Sequence, residues 1–359
     1  MQSKKKWGIV LLLLILAILI HVFSGYPAFI ENHYATGEYQ VISKFLRIST
    51  GWIPFSIGDV IYTLVVAWLI WKLCDIIYRI FKKRISKQSL LESLRKTLVV
   101  LLSVYIVFNF FWGINYNRKG IAFQLDLTST KYSAQELKEI DSLLLIKVNE
   151  SKTALLNDHI SSRSYQDFFN EAIQSYSYVA ETYPFLQYQK QSVKASLWGW
   201  LGNYVGFLGY YNPFTGEAQV NTTVPYFIQP YTVCHEMAHQ LGYAKEDEAN
   251  FVGYLAAAAS GDTLFHYSVY LDLFLTANRN LYTVDSTAAK FLRKQLNPAV
   301  KDDLKQWGEF LLKHKNPVEP VIRWMYGKYL QGNQQPKGML SYDEVTGLLI
   351  AYHKKYGKL

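Results

Sequence analysis

Three apolar runs in the first 116 residues constrain this chain more than anything else in it. The first follows Lys4, Lys5 and Lys6, is unbroken from Trp7 to Ile20, and continues with few polar interruptions to about Ile30. The second, Val60–Trp71, reaches the length of a bilayer crossing only if extended to Phe81, with Lys72 and Asp75 paired or held near the interface. The third, Leu98–Ile114, ends in the aromatic stretch FNFFWG, which suits an interfacial belt. Inside hydrocarbon every backbone polar group must be paired within the protein, so such runs cross as helices. The expectation is a membrane region, 1–116, with three transmembrane helices at about 8–30, 58–81 and 97–115.

Charge sets the expected orientation. Residues 1–116 hold 13 Lys/Arg against 5 Asp/Glu, whereas the remainder holds 24 against 23, so nearly all of the net charge of +9 sits in the hydrophobic third. Nucleic-acid binding would need that charge on the folded domain, and is discounted. The basic N-terminus and the basic loop at 82–96 both belong in the cytoplasm by the positive-inside rule, because the loop at 31–59 has only Lys44 and Arg47 against Glu31, Glu38 and Asp59. Three crossings then leave everything after residue 117 outside, in the inner (cytoplasmic) membrane of a bacterium. A cleaved signal peptide competes for the first run, but no small-x-small site follows it. A two-crossing topology would require the second run not to span.

The stretch Tyr231–Asn250, YTVCHEMAHQLGYAKEDEAN, carries the chemistry. Residues four apart share a helix face, so His235 and His239 can offer imidazole nitrogens to one ion. Glu236 can reach a metal-bound water without itself binding the metal. A catalytic zinc site keeps three protein ligands and one open position, so a third ligand is required. Pro230 favours a helix start and Gly242 a stop, giving a helix at about Tyr231–Leu241 and a second from Glu246. On that second helix Glu246 is the preferred ligand and Glu248, about 200° away, the reserve. Asn250, one turn on from Glu246, suits a residue that holds a ligand in place. Cys234 diverges from His235 by about 100° and is a poor fourth ligand; it and Cys74, in the second apolar run, are badly placed for a disulfide.

These residues also carry a resemblance. CHEMAHQLGYAKEDEANF, with the upstream PFSIGD, the segment YYNPFTGEAQVN and the late GMLSYDEV, resembles the bacterial membrane-protein family called domain of unknown function 3810, over nearly the whole chain. That family is described by inference as zinc metallopeptidases. The Glu-x-x-Ala-Asn pattern is also similar to the glutamate-bearing helix of HExxH-plus-Glu peptidases. The resemblance implies His235, His239 and Glu246 as Zn²⁺ ligands and Glu236 as the base, although the gap from His239 to Glu246 is shorter than most such peptidases have.

The rest of 117–359 reads as one mainly α, zincin-like domain with a short β element. Helices are expected at about 134–156, 165–181, 262–281, 298–314, 320–330 and 342–355, the first and last opened by Ser133–Glu136 and Ser341–Glu344 capping boxes. The aromatic stretch 184–230 is either a packed loop or a rim that touches lipid or lines the substrate cleft. Within it Glu217–Val224 alternates as a strand, which is either structural or, by analogy, pairs with an extended substrate. His266, Tyr267 and Tyr270 are candidate oxyanion donors, among 28 tyrosines that offer little to choose between them. The functional expectation is a membrane-anchored, zinc-dependent metallohydrolase, a metallopeptidase acting on peptide or peptide-like substrate. The alternative is a non-catalytic receptor or scaffold that zinc stabilises.

Overall fold

The computed structural model describes residues 2–84, 86–127, 131–157 and 163–359, with side chains from Trp7 onward. The side chains of Lys4, Lys5 and Lys6, and Ile85 in the basic loop, lie outside the described residues. The chain is mainly helical. In the N-terminal third, α1 (Gln2–Phe23) leads into a one-turn α2 (Pro27–Phe29), a π-helical stretch Ile30–Glu38 and α3 (Tyr39–Gly51). Then α4 (Ile57–Phe81) and α5 (Lys87–Phe111) follow, and both are long and apolar enough to cross a membrane. A third crossing exists if α1 and Pro27–Gly51, bent by 88°, form one broken span. The first apolar run was expected to stay helical to about residue 30. It breaks at Phe23 instead, because Pro27 forces Tyr26 out of the helical region, at φ −115° and ψ 74°.

The segment 31–59 is not a free loop. Glu31 and Arg118 form a buried ion pair at 2.6 Å, and Glu31 also receives Gly120 N–H and the Gln124 amide. The N-terminus of α4 is held by Glu217, whose carboxylate accepts from Ile57 N at 3.0 Å and Gly58 N at 2.6 Å. A carboxylate there satisfies otherwise unpaired amides and complements the helix dipole. The packing that supports the globular part therefore reaches back across residue 116.

After a 3₁₀ turn (Gly113–Asn117) and α6 (Gly120–Gln124) come α7 (Ala134–Asn157) and α8 (Tyr165–Thr182). A small sheet follows: β1 (Val193–Ala195), then α9 (Gly199–Val205), β2 (Gly209–Asn212) and β3 (Glu217–Val220). The strand order is β1-β3-β2, with β1 parallel and β2 antiparallel to β3. This corrects the expectation for Glu217–Val224. The strand ends at Val220 and is the central one, with both ladders already used, so it has no edge to offer a substrate.

The remaining helices are α10 (Gln229–Gln240), α11 (Glu246–Ala258), α12 (Thr263–Val284), α13 (Ser286–Lys294), α14 (Pro298–His314), α15 (Glu319–Gly332) and α16 (Val345–Tyr356). Helix α12 packs along α7, and α10 against α11. Helix α13 was not anticipated between the expected helices at 262–281 and 298–314; the Asp285 carboxylate caps it by accepting from Ala288 N at 2.9 Å. The Ser341–Glu344 capping box does not form. Those residues lie in a 3₁₀ turn, Gly338–Glu344, and Ser341 Oγ is buried without a hydrogen-bond partner.

Candidate metal centre

Every residue from Gln229 to Gln240 in α10 is buried, polar ones included, so the helix that carries His235, Glu236 and His239 forms the centre of the domain. Its C-terminal carbonyls would be orphans. They are met by side chains from the N-terminal third: Tyr39 Oη donates to Gln240 O at 3.1 Å, Ser43 Oγ to the same oxygen at 2.7 Å, Gln40 to Leu241 O, and Trp112 Nε1 to His239 O. Gly242 then turns the chain at φ +90°, where a Cβ would stand 2.8 Å from the Tyr39 ring. Its carbonyl accepts from Arg118. The chain returns through Lys245 into α11, which packs closely on α10: a Cβ at Gly253 would lie 3.0 Å from His235 N.

This return brings the three predicted ligands together. Glu246 Oε2 lies 3.3 Å from His235 Nε2 and 3.5 Å from His239 Nε2, and all three ligand atoms fall within 4.8 Å of one another. Two donors each about 2.0–2.1 Å from a tetrahedral zinc stand about 3.4 Å apart, which matches the spacing of Glu246 Oε2 from each imidazole. Apart from the two imidazoles beside it, Glu246 Oε2 meets no hydrogen-bond partner, so it is available to such an ion. The His239 ring places Nδ1 2.7 Å from Tyr243 O. With Nδ1–H donating there, the neutral ring would have its Nε2 lone pair available to an ion. His235 Nδ1 is buried without a partner. The donor set fits Zn²⁺.

Glu248, the reserve ligand, points the other way, toward Lys245 at 3.5 Å and Gly120. Cys234 is buried with its carbonyl bound by Tyr176 and takes no place among the three ligand atoms; burial pushes its thiol well above the ordinary range. Asn250 holds neither a ligand histidine nor Glu246. Its amide reaches Tyr342 O at 3.4 Å and its carbonyl accepts from Tyr231, so it steadies the turn that carries Tyr342.

Burial shapes the charges. It pushes the Glu236 carboxyl up to about 7, against the opposing pull of the His235 and His239 imidazoles. Glu236 Oε2 has no partner, and the side chain packs against Gly209 of β2. Burial works against the imidazolium of His239, but Glu246 and then Glu236 outweigh it and raise the group to about 9. The Glu246 carboxyl, which burial alone would raise, is held far below the usual range by hydrogen bonds and charge from both histidines.

The candidate oxyanion donors lie elsewhere. Tyr267 Oη bonds Asp303 at 2.5 Å and His266 faces the Tyr270 ring, all within the packing of α12. The tyrosines that meet the ligand cluster come from far downstream. Tyr326 Oη donates to Glu246 Oε1 at 2.7 Å, and the Tyr342 ring stacks on His235 with centroids 6.3 Å apart. Tyr342 falls in the GMLSYDEV stretch that carries the resemblance; Tyr326 had no signal beyond its helix.

No curated protein and no solved structure matches the chain. A family model does match, that of proteins of unknown function designated DUF3810, over residues 34–350. The match begins within the π-helical stretch and takes in the sheet, the three converging ligand residues and both late tyrosines, and the chain belongs to this family.

Proposed function

We propose that the protein is a membrane-anchored zinc-dependent hydrolase, a peptidase, built as a zincin-like α-rich domain on two or three membrane helices. The observation that carries this reading is the convergence of His235 Nε2, His239 Nε2 and Glu246 Oε2, the carboxylate oxygen 3.3–3.5 Å from each imidazole, beside a buried Glu236 whose Oε2 has no partner. His235, His239 and Glu246 hold the ion, which when bound supplies Lewis acidity and brings water toward ionisation near neutral pH. Glu236 accepts a proton from the attacking water and returns it to the leaving amine. Tyr326 fixes the rotamer of Glu246 through Oε1 and leaves Oε2 for the ion. The edge strand beside Glu236 is β2, so an extended substrate is assigned to the free edge of β2 rather than to β3. The basic N-terminus and basic 82–96 loop favour a cytoplasmic side for both, so the reading puts this domain outside the cytoplasm of a bacterial cell.

The test uses the full chain in detergent, because Tyr39, Ser43 and Trp112 complete α10. Wild type binds one equivalent of zinc by elemental analysis. His235→Ala and Glu246→Ala lose it, Glu248→Ala keeps it, and Glu236→Gln keeps zinc but loses peptide hydrolysis. A well-folded wild type without zinc sinks the proposal. Zinc-dependent melting with no hydrolysis of broad peptide and cell-wall substrates would instead favour a zinc-stabilised scaffold.

A further inference from the structure

Helices α9 and α15 expose an apolar surface that is hard to reconcile with water. Trp200, Leu201 and Tyr204 on α9 are 41–55% exposed, and Val321, Trp324 and Met325 on α15 are 55–63% exposed. On α15 these residues recur at i, i+3 and i+4, which makes one outward stripe. From the same helix, Tyr326 and Tyr329, themselves 37–40% exposed, send their hydroxyls inward, that of Tyr326 to Glu246 and that of Tyr329 to 3.2 Å from the hydroxyl of Tyr116 just after α5. Helix α15 is thus a single layer between its apolar stripe and the ligand cluster.

The two helices are joined to each other and to a membrane-crossing helix. Asn316, just before α15, donates to Tyr204 O at 2.6 Å. The start of α9 is pinned to α4: Leu197 N donates to Asp59 at 2.7 Å, and Trp198 Nε1 donates to Thr63 Oγ1 at 3.0 Å. Thr63 lies six residues into α4, about 9 Å along its axis at 1.5 Å per residue. Its neighbours Leu64 and Val65 are exposed like the rest of that span. The aromatic surface of α9 therefore lies level with the outward-facing apolar surface of α4 and continues it. Around α15, residues 313–337 hold Lys313, Lys315, Arg323, Lys328 and Lys337 against one acid, Glu319. Tryptophan and tyrosine flanked by basic side chains are what a headgroup region of anionic phospholipid accommodates.

We propose that α9 and α15 are inserted in the outer surface of the bilayer, so that the chain meets the membrane through a second, non-spanning surface. Its occupant is phospholipid, and the ligand cluster lies one helix away from it.

The test places a fluorophore at chosen depths. In a Cys74→Ser background, with Cys234 left buried, Trp200→Cys and Trp324→Cys are labelled with a small environment-sensitive dye. Phe291→Cys, exposed on α13, which packs against α7 and α12, is the control. The full chain is reconstituted in vesicles of phosphatidylcholine and phosphatidylglycerol, with and without lipid carrying a nitroxide near the glycerol backbone. Labels at 200 and 324 are expected to lose at least half their emission to the lipid nitroxide and little to aqueous iodide, and the label at 291 the reverse. Iodide quenching at 200 and 324 equal to that at 291 overturns the proposal. Shielding from both quenchers also overturns it, since a second copy of the chain would then cover the face. None of these readouts involves zinc or turnover, so the surface stands or falls separately from the hydrolase reading.

Discussion

Tyr326→Phe removes one atom, the hydroxyl that donates to Glu246 Oε1 at 2.7 Å. A hydrogen bond to an ionised carboxylate contributes about 1.5–3 kcal/mol. Tyr326 is itself 37% exposed, so the lower part of that range applies. At 1.4 kcal/mol per factor of ten, the variant should bind zinc about 10–30-fold more weakly, with His235, His239 and Glu246 all still present. The assay is competition for zinc against a fluorescent chelator, with the full chain in detergent. Tyr329→Phe is the matched control, because that hydroxyl meets Tyr116 rather than Glu246. Zinc affinity unchanged in Tyr326→Phe, or lowered equally in Tyr329→Phe, would refute the idea that this bond orients the ligand.

Two stability predictions follow from buried charge. Glu31→Ala leaves the Arg118 guanidinium 4% exposed without its carboxylate partner; removing one member of a buried pair costs about 3–5 kcal/mol, which denaturant titration should show, and equal stability to wild type would mean that water replaces the carboxylate. Asp141 is fully buried, and burial pushes its carboxyl up to about 7 despite a hydrogen bond from Asn278. Because the folded state holds this proton more tightly than the unfolded one, stability should fall as pH rises from about 4 to about 7 and then level off. That interval, at 1.36 kcal/mol per pH unit, bounds the effect at about 4 kcal/mol. Asp141→Asn should flatten this slope and be the more stable protein at pH 8; an unchanged slope in the variant would place the titration elsewhere.

The legible parts of the site were local. Pro230 and Gly242 bracket α10 to within two residues, and helical period alone separates Glu246, which lies between the imidazoles, from Glu248, which faces Lys245. What sequence could not supply was pairing across long distances. The alternation at Glu217–Val220 reveals a strand but not whether its two neighbours are taken, and β1 and β2 take both. Asn250 sits one turn after Glu246, yet its amide is claimed by Tyr342, 92 residues on. Tyr326 and Tyr342 are two of 28 tyrosines, and only the fold distinguishes them. The segment 31–59 reads as a polar loop because its helical face is satisfied by residues about 200 positions away, such as the Gln240 carbonyl that Tyr39 and Ser43 share.

The same span, from Tyr39 to Tyr342, has a consequence for how the protein is made. The helix that bears the histidines is finished by side chains among the first to be synthesised and overlaid by tyrosines among the last. Contacts this distant in sequence form late. The ligand cluster therefore gains its last side chains only after residues 326 and 342 have been made, well after the histidines and Glu246 themselves. A nascent chain that stops short of residue 326 would carry both histidines and Glu246 but lack the hydroxyl that bonds Glu246 Oε1, so the cluster would be aligned only once that late helix is in place.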